Sequence, residues 1–498
     1  MRRPIAAGLM VASMIALIAS AAWAQTVLGY HNSPDRSGRY IVPGLNWGSA
    51  AGMHRDTSFD GAVEGNLYAQ PLLWLDRAKK RKLIIAATES DNVYALDAAT
   101  GHVIWRKALG APAPRSALPC GNISPLGITG TPVIDDNQGK LYLDAMIDAG
   151  HAGPQHLIFG LSLTDGSILP GYPINVALAI AAHGMRFEPR IQNQRGALLI
   201  IKGTLYVPYG GHYGDCGPYH GWVLGFDLKN PQSLEIWRTR AHGGGIWAPG
   251  GVVYDGHSIF VATGNTFGAQ IWSDGEAVMR LGTDLAPSSS TRDYFAPTDW
   301  KYLDATDHDL GGANPLPIDI SDAHGTAHFI LALGKDGKAY LLDRGNLGGI
   351  GGALAVEQVS RDQIRTAPVA YSIEGSTFVA FGGRPARCAR GPSRANLTVL
   401  RIEAHPAPKI SIAWCGDIDG RGIPILTTER NNSDPIVWIA GAEGDNRLHG
   451  FRADNGAPVF TGGGAGDLMQ RLRHFATIVA ADGRLFVPAD NRIYAFVP

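Results

Sequence analysis

A repeated block of short apolar strands is the feature that most constrains how this chain can fold. Its clearest copy has three candidate strands at 82–88, 92–97 and 103–105, separated by turns at 89–91 and 98–101. β-Branched and aromatic residues fill the strands, while Asp and Gly mark the turns, which is typical of antiparallel hairpins. The pattern predicts that Asp97 and Thr100 tie the second turn and that Trp105 packs between neighbouring sheets.

Weaker copies of this block recur along the rest of the chain, at intervals of roughly 45 to 65 residues, which is the range of propeller blades. A second marker, a small or apolar residue or Gln followed by Pro, precedes the first strand of most units. It occurs at Gln70-Pro71, Thr131-Pro132, Ala248-Pro249, Ala367-Pro368 and Ile423-Pro424. Counting both markers gives eight units. The sequence therefore predicts an all-β protein, an eight-bladed β-propeller of four-stranded antiparallel blades, with seven blades as the alternative because two repeats are weak.

The last unit ends after its third strand, at Pro498. An uncovered edge there would invite aggregation, so we expect an N-terminal strand to complete this blade and close the ring. The segment 26–30 is the candidate for that strand. No linker or second domain is evident, and residues 25–498 are predicted to form one propeller domain.

Composition agrees with this interpretation. The chain of 498 residues has 64 Gly and 31 Pro, residues that cost about 1 and 3 kcal/mol respectively in helix interiors. Its 43 Lys and Arg nearly balance its 44 Asp and Glu, for a formal charge of -1. That balance argues against a protein that binds nucleic acid through bulk charge.

The N-terminus has the pattern of a secretory signal peptide. Arg2 and Arg3 precede an apolar stretch that ends in Ala22-Trp23-Ala24, a cleavage site of the A-x-A type. We predict that residues 1–24 are a signal peptide and that the mature protein is periplasmic or secreted. No later stretch approaches the roughly 20 apolar residues of a membrane-spanning helix, so no membrane span is expected.

Four cysteines lie in the predicted mature chain, and an even number in an oxidising compartment favours two disulfides. Three pairings are open. We favour Cys388 with Cys415, because both fall in one predicted hairpin-rich segment, and Cys120 with Cys216 then follows by elimination. None of the four has the C-x-x-C or C-x-x-C-H spacing of a redox motif or a c-type haem site.

The block Tyr94-Ala95-Leu96-Asp97-x-x-Thr100-Gly101-x-x-x-Trp105 resembles the repeat of the quinoprotein alcohol dehydrogenase-like β-propellers. These are periplasmic propellers that hold pyrroloquinoline quinone (PQQ). The resemblance extends over the mature chain as a fold. It implies an exported dehydrogenase that oxidises an alcohol or sugar hydroxyl with PQQ and calcium.

Several motifs in the middle of the chain are similar to the active-site motifs of that family. They are Gly244-Gly245-Ile246-Trp247, Ala262-Thr263-Gly264-Asn265, Asp309-Leu310-Gly311-Gly312-Ala313-Asn314, Lys335-Asp336-Gly337, and Asp215 ahead of Gly221-Trp222. The resemblance implies that Trp247 forms a flat floor under the quinone and that Lys335 lies beside the quinone oxygens. It further implies that Asp215, Asn265 and Asp309 bind calcium, and that Asp309 is the catalytic base.

These residue types suit the implied chemistry. Calcium prefers carboxylate and amide oxygens and can polarise a carbonyl as a Lewis acid. A carboxylate can take the alcohol proton as a general base, and a lysine can stabilise developing negative charge. Because the chain has no haem motif, an enzyme of this kind would need a separate electron acceptor.

One departure from the family leaves other functions open. Its alcohol dehydrogenases usually carry two adjacent cysteines that cover the other face of the quinone, and this chain has no Cys-Cys pair. The first alternative is a noncatalytic periplasmic propeller that binds a protein or glycan partner. A second is a hydrolase or lyase that uses a metal held by His212, Asp215 and His220.

Overall fold

The computed structural model of the protein describes residues 25–388 and 395–498. Eight antiparallel sheets surround one axis, and each contains the four strands of one blade. The predicted eight-bladed propeller is therefore confirmed, and the seven-bladed alternative is wrong. The predicted signal peptide, residues 1–24, lies outside the described residues.

Blades 1 to 4 follow one another along the chain, and their strands pair in chain order. Blade 1 contains Leu72–Asp76, Arg81–Ala87, Asn92–Asp97 and Val103–Ala108. Blade 2 contains Val133–Asp135, Lys140–Asp148, Pro154–Ser162 and Ile174–Asn175. Blade 3 contains Leu199–Ile201, Thr204–Gly211, Trp222–Asp227 and Leu234–Arg238. Blade 4 contains Val253–Tyr254, Ile259–Thr263, Ala277–Leu281 and Tyr294–Ala296.

Blades 5 to 8 complete the ring. Blade 5 contains Leu316–Asp322, Gly325–Leu333, Lys338–Asp343 and Ala355–Gln358. Blade 6 contains Val369–Ile373, Ser376–Gly382, Ala395–Glu403 and Lys409–Asp417. Blade 7 contains Ile425–Thr428, Ile436–Ala440, Leu448–Arg452 and Pro458–Thr461. Blade 8 contains Val479–Ala481, Arg484–Ala489, Arg492–Val497 and, from the N-terminal region, His54–Arg55.

Short segments outside the blades decorate this ring. Three two- or three-residue strands, Arg39–Ile41, Gln192–Asn193 and Gly349–Ile350, extend blades 7, 3 and 4. The α-helices within the described ranges are Trp47–Ala50, Val176–Ala181 and Trp300–Thr306. The 3-10 turns there are Tyr30–Asn32, Arg115–Ala117, Gly150–Ala152, Pro189–Ile191, Leu310–Gly312, Arg430–Asn432 and Ala465–Asp467. Within the same ranges, every helix is too short or too polar to reach across a lipid bilayer.

An N-terminal strand closes the ring, as predicted, but a different segment supplies it. His54–Arg55 pairs antiparallel with Arg492–Val497 as the outer strand of blade 8. The expectation that 26–30 fills this position is wrong, because Val27 instead pairs with Leu73 in the first strand of blade 1. The reason is burial. Val27 is only 1% exposed at that inner position, whereas the outer edge is open to water and suits the polar pair.

Apolar side chains fill the spaces between neighbouring blades. One cluster joins blades 1 and 2, the next joins blades 2 and 3, and the series continues around the ring. A further cluster joins blades 7, 8 and 1, and so closes the circle. Because each cluster belongs to two blades or more, no blade buries its apolar surface alone.

The repeat block of blade 1 forms the contacts that the sequence predicts. The Asp97 carboxylate accepts hydrogen bonds of 3.0, 3.0 and 3.1 Å from the Ala99 and Thr100 amides and the Thr100 hydroxyl. Trp105 Nε1 donates to the Leu163 carbonyl of blade 2 at 3.0 Å. The tryptophan of the repeat thus joins one blade to the next.

Both predicted disulfides are confirmed. Cys120 pairs with Cys216 and Cys388 pairs with Cys415, with Cα–Cα distances of 6.0 and 6.4 Å. The first one ties the segment before blade 2 to the loop after the second strand of blade 3. That loop carries one of the predicted site residues, Asp215.

Candidate active site

A cavity of about 1270 Å³ opens at the axis of the propeller. Loops from several blades line it. All five residues singled out from the sequence face it: Asp215, Trp247, Asn265, Asp309 and Lys335. The ring therefore brings together residues that span 120 positions of the chain. Their individual roles stay predictions.

The propeller repeat explains why these residues converge. Asn265 lies two residues beyond Ile259–Thr263, and Lys335 lies two residues beyond Gly325–Leu333. Both segments are the second strand of a blade, so equivalent positions in different blades reach the same cavity. Asp309 directly precedes the 3-10 turn Leu310–Gly312, which leads into blade 5.

Asp309 is the centre of the hydrogen-bond network in this cavity. Its side chain is almost fully buried. Oδ2 accepts a hydrogen bond from Trp247 Nε1 at 3.0 Å and lies 2.8 Å from Lys335 Nζ. Oδ1 accepts a hydrogen bond from the Asn265 amide N–H at 3.1 Å. Three of the other four predicted residues therefore contact this one carboxylate.

Lys335 is held between two carboxylates. Its Nζ lies 2.7 Å from Asp307 Oδ1 as well as 2.8 Å from Asp309 Oδ2. Burial lowers the pKa of Lys335, but the two carboxylates outweigh it, so the net shift is upward and the ammonium charge is retained. The same Nζ lies 5.0 Å from the centre of the Trp247 ring, at cation–π range.

Glu276 supports the network from behind and is fully buried. Its Oε2 accepts a hydrogen bond of 2.6 Å from the Leu310 amide, next to Asp309. Its Oε1 has no hydrogen-bond partner among the described residues. Burial, reinforced by the Asp309 charge, raises the pKa of Glu276 well above its usual value, which favours the neutral acid.

Asp215 lies on the loop that the Cys120–Cys216 disulfide fixes. The Tyr219 hydroxyl donates a hydrogen bond of 2.7 Å to its Oδ1. Burial raises the pKa of Asp215, although the Tyr219 hydrogen bond opposes the shift. The backbone at Asp215 is left-handed, with φ of 50°, which an Asp tolerates better than most residues.

The predicted calcium ligands have the right donor chemistry. Asp215 and Asp309 offer carboxylate oxygens, and the Asn265 side-chain amide faces the cavity with no partner among the described residues. Hard oxygen donors of this kind suit Ca²⁺. Trp247 is half-buried and lines the same cavity, which is large enough for a tricyclic quinone. The donor types and the size of the cavity therefore suit both groups.

The metal loop of the hydrolase or lyase alternative does not form. His212 Nε2 lies 3.1 Å from the Arg190 carbonyl, and His220 Nδ1 lies 2.9 Å from the Thr239 carbonyl. Each imidazole is thus held by backbone. Across residues 25–388 and 395–498, no three His, Cys, Asp or Glu side chains are arranged to hold a metal ion.

Sequence reasoning missed three arginines that line the cavity, Arg195, Arg365 and Arg421. Each lies four residues before the first strand of its blade, in blades 3, 6 and 7. This position repeats around the ring and was the available signal, because in propeller repeats equivalent positions face the same way. The sequence analysis also missed Asp307 and Glu276, for which no local motif exists.

The same fold occurs in solved quinoprotein dehydrogenases. The chain matches a europium-containing methanol dehydrogenase with a TM-score of 0.66 and 12% identity, over 95% of this chain and 98% of that one. It matches the quinohemoprotein alcohol dehydrogenase ADHIIG of Pseudomonas putida HK5 with a TM-score of 0.65 and 12% identity, over 95% of this chain and 80% of that one. For the quinohemoprotein alcohol dehydrogenase of Comamonas testosteroni, the TM-score is 0.63 and the identity 15%, over 95% of this chain and 80% of that one.

At these identities the likeness establishes a common fold. No family profile matches the sequence, and no curated protein sequence is similar to it. The function therefore has to be argued from the site itself.

Proposed function

We propose that this protein is an exported dehydrogenase that oxidises a hydroxyl of a small alcohol or sugar, with PQQ and calcium bound in the axial cavity. The observation that carries the proposal is the Asp309 network. A buried carboxylate contacts a tryptophan, a lysine and the Gly-Asn turn, which are the residue types that the family resemblance implies.

The bound groups would supply a two-electron acceptor and a Lewis acid, so that the alcohol gives up a hydride to the quinone and a proton to the protein. Asp309 would accept that proton, since its carboxylate faces the cavity. Asp215, Asn265 and Asp309 would hold the calcium ion. Trp247 would present its ring to the quinone.

The remaining residues position the base. Lys335 neutralises and orients Asp309 from one side, and Trp247 Nε1 and the Asn265 amide fix its two oxygens. Glu276 holds the Leu310 amide and so fixes the backbone next to Asp309. A base fixed in this way needs little reorganisation during proton transfer.

Two observations are consistent with export. Both disulfides would persist in an oxidising compartment, and residues 1–24 have the sequence pattern of a signal peptide. A separate protein would reoxidise the quinone.

Reconstitution tests the proposal directly. Purified protein lacking quinone, incubated with PQQ and Ca²⁺, should gain dye-linked oxidation of at least one member of a broad panel of alcohols and sugars. Absence of both quinone binding and turnover would refute the proposal. It would leave the noncatalytic propeller, whose test is capture of a protein or glycan partner that the Asp309→Asn variant still binds.

A further inference from the structure

Part of the cavity lining carries positive charge. Each blade has a residue four positions before its first strand, at the equivalent place in the repeat. Around the ring these residues are Tyr68, Thr129, Arg195, Pro249, Gly312, Arg365, Arg421 and Phe475. Three of the eight are arginines, and all three line the cavity. The propeller repeat thus gathers three guanidinium groups from blades 3, 6 and 7.

These guanidinium groups are not paired directly with a carboxylate in the part of the chain that the structure describes. Within residues 25–388 and 395–498, none of the three side chains donates a hydrogen bond or forms an ion pair. Arg195 is held only by aromatic rings, with its guanidinium carbon 4.4 Å from the Phe475 centre and 5.8 Å from the Trp247 centre. Stacking on ring faces leaves the N–H edge of a guanidinium free to bind an oxyanion.

The three positive charges also repel one another. Burial lowers the pKa of Arg195 to about 10, and Arg365 contributes to the shift. Burial and the neighbouring Arg421 lower the pKa of Arg365 in the same way. Leaving like charges close together and unpaired costs stability, so a bound anion would relieve it.

Carboxylates near these arginines offset their charge only in part. Burial lowers the pKa of Arg365 and of Arg195, but the charges of Asp307 and Glu443 oppose the shift at Arg365, and that of Glu89 opposes it at Arg195. Glu443 receives its hydrogen bonds from His474, at 2.5 Å to Nδ1 and 3.2 Å to the backbone amide. Asp307 and Asp309 are both paired with Lys335 in the Asp309 network. The cavity therefore contains one network whose charges are directly paired, and three cations that form no direct ion pair in the described chain.

We propose that Arg195, Arg365 and Arg421 bind an oxyanion on the substrate, so that the hydroxyl compound oxidised here is an acid rather than a neutral alcohol. The substrate carries a carboxylate or a phosphate, as in an aldonate or a sugar phosphate. The planar donor forks of arginine match both groups. The inference rests on the proposed function for the oxidation step, but the anion site itself can be measured without turnover.

Calorimetric titration tests the anion site, with gluconate, glucose 6-phosphate and glucose each added to protein with and without bound PQQ and Ca²⁺. We expect one of the two anions to bind at least about ten-fold more tightly than glucose, as one charge-assisted contact would give. Comparison of the two anions separates carboxylate from phosphate recognition. The preference should shrink as salt is raised from 50 to 500 mM, values we choose to span strong and weak screening.

Variants locate the site. Arg365→Gln and Arg421→Gln should each weaken anion binding by about ten- to a hundred-fold, with glucose binding unchanged. Arg186→Gln is the matched control, because Arg186 is an exposed arginine paired with Glu188 outside the cavity. Circular dichroism and unfolding midpoints would show that the variants remain folded.

The outcomes separate this inference from the proposed function. Equal binding of anions and glucose, or an anion preference that survives the Arg365→Gln/Arg421→Gln double variant, would overturn it even if the protein oxidises neutral alcohols. Loss of PQQ affinity in these variants with no change in substrate binding would also overturn it, since the arginines would then hold the cofactor's own carboxylates. Selective anion binding by a protein that never binds PQQ would retain the anion site and refute only the proposed function.

Discussion

Two sets of charged residues in the axial cavity differ in whether their charges are paired. In the first set, the ammonium of Lys335 is paired with the carboxylates of both Asp307 and Asp309. In the second, Arg365 and Arg421 line the cavity, and neither guanidinium forms a hydrogen bond or an ion pair in the described chain. The difference suggests two separate roles. A network whose charges are already paired can hold a catalytic group in place, while unpaired charges are available to bind a ligand.

The largest effect is expected when the central carboxylate of the Asp309 network is removed. Asp309→Asn should lower kcat by about 10² to 10⁴-fold, since a general base is lost while the shape of the side chain is kept. Dye-linked turnover of the reconstituted protein measures the effect. The matched control is Asp362→Asn, which changes an exposed carboxylate on the same cavity. Similar rates in the two variants would remove Asp309 from the chemistry.

A second variant asks whether pairing itself matters. Lys335→Gln removes the cation that lies against Asp309 and should reduce kcat by about 10²-fold, as loss of one preorganised electrostatic contact does. Lys335→Arg keeps the positive charge and should recover part of this loss. If the Gln and Arg variants are equally impaired, shape rather than charge would be the contribution of Lys335.

The smallest effect is expected at Glu276, which lies behind the Asp309 network. Its folded-state pKa is raised above the ordinary value of 4.5, so the native state holds this proton more tightly than the unfolded chain does. The stabilisation is complete below pH 4.5 and is lost as the pH rises through the folded-state pKa. Glu276→Gln, which does not titrate, should therefore gain stability relative to the parent protein by up to about 1.4 kcal/mol per pH unit in that window.

Denaturant unfolding at a series of pH values between 5 and 9, a range we choose to cover that window, checks this expectation. The stability curves of the two proteins should converge at the acid end and separate as the pH rises. Parallel curves would mean that Glu276 is ionised in the folded protein.

The same contrast explains how far the sequence could lead. Strand periodicity and the turn residues around Asp97 and Trp105 repeat often enough to reveal eight blades. Trp247, Asn265, Asp309 and Lys335 could be named from the sequence, because they lie in motifs that resemble those of a known family, whereas Asp307 and Glu276 could not. The strand that closes the ring could not be predicted correctly, since His54–Arg55 is two residues long and has no periodicity.

The three arginines have no local motif at all. Arg195, Arg365 and Arg421 lie in loops without regular secondary structure, and only their common distance of four residues from a first strand relates them. That distance is known once the strand bounds are known, and bounds are the least certain part of a single-sequence prediction. Side-chain pairing across blades, such as Lys335 with Asp307, likewise depends on ring geometry rather than on neighbouring residues.

Equilibrium dialysis of PQQ against the quinone-free protein, with and without Ca²⁺, tests the central claim most directly. We expect one quinone per chain in the presence of Ca²⁺, and loss of that calcium-dependent binding in Asn265→Leu, which removes a proposed ligand while leaving the backbone N–H that bonds Asp309. No bound quinone in the parent protein, or equal binding by the Asn265→Leu variant with and without Ca²⁺, would contradict the account.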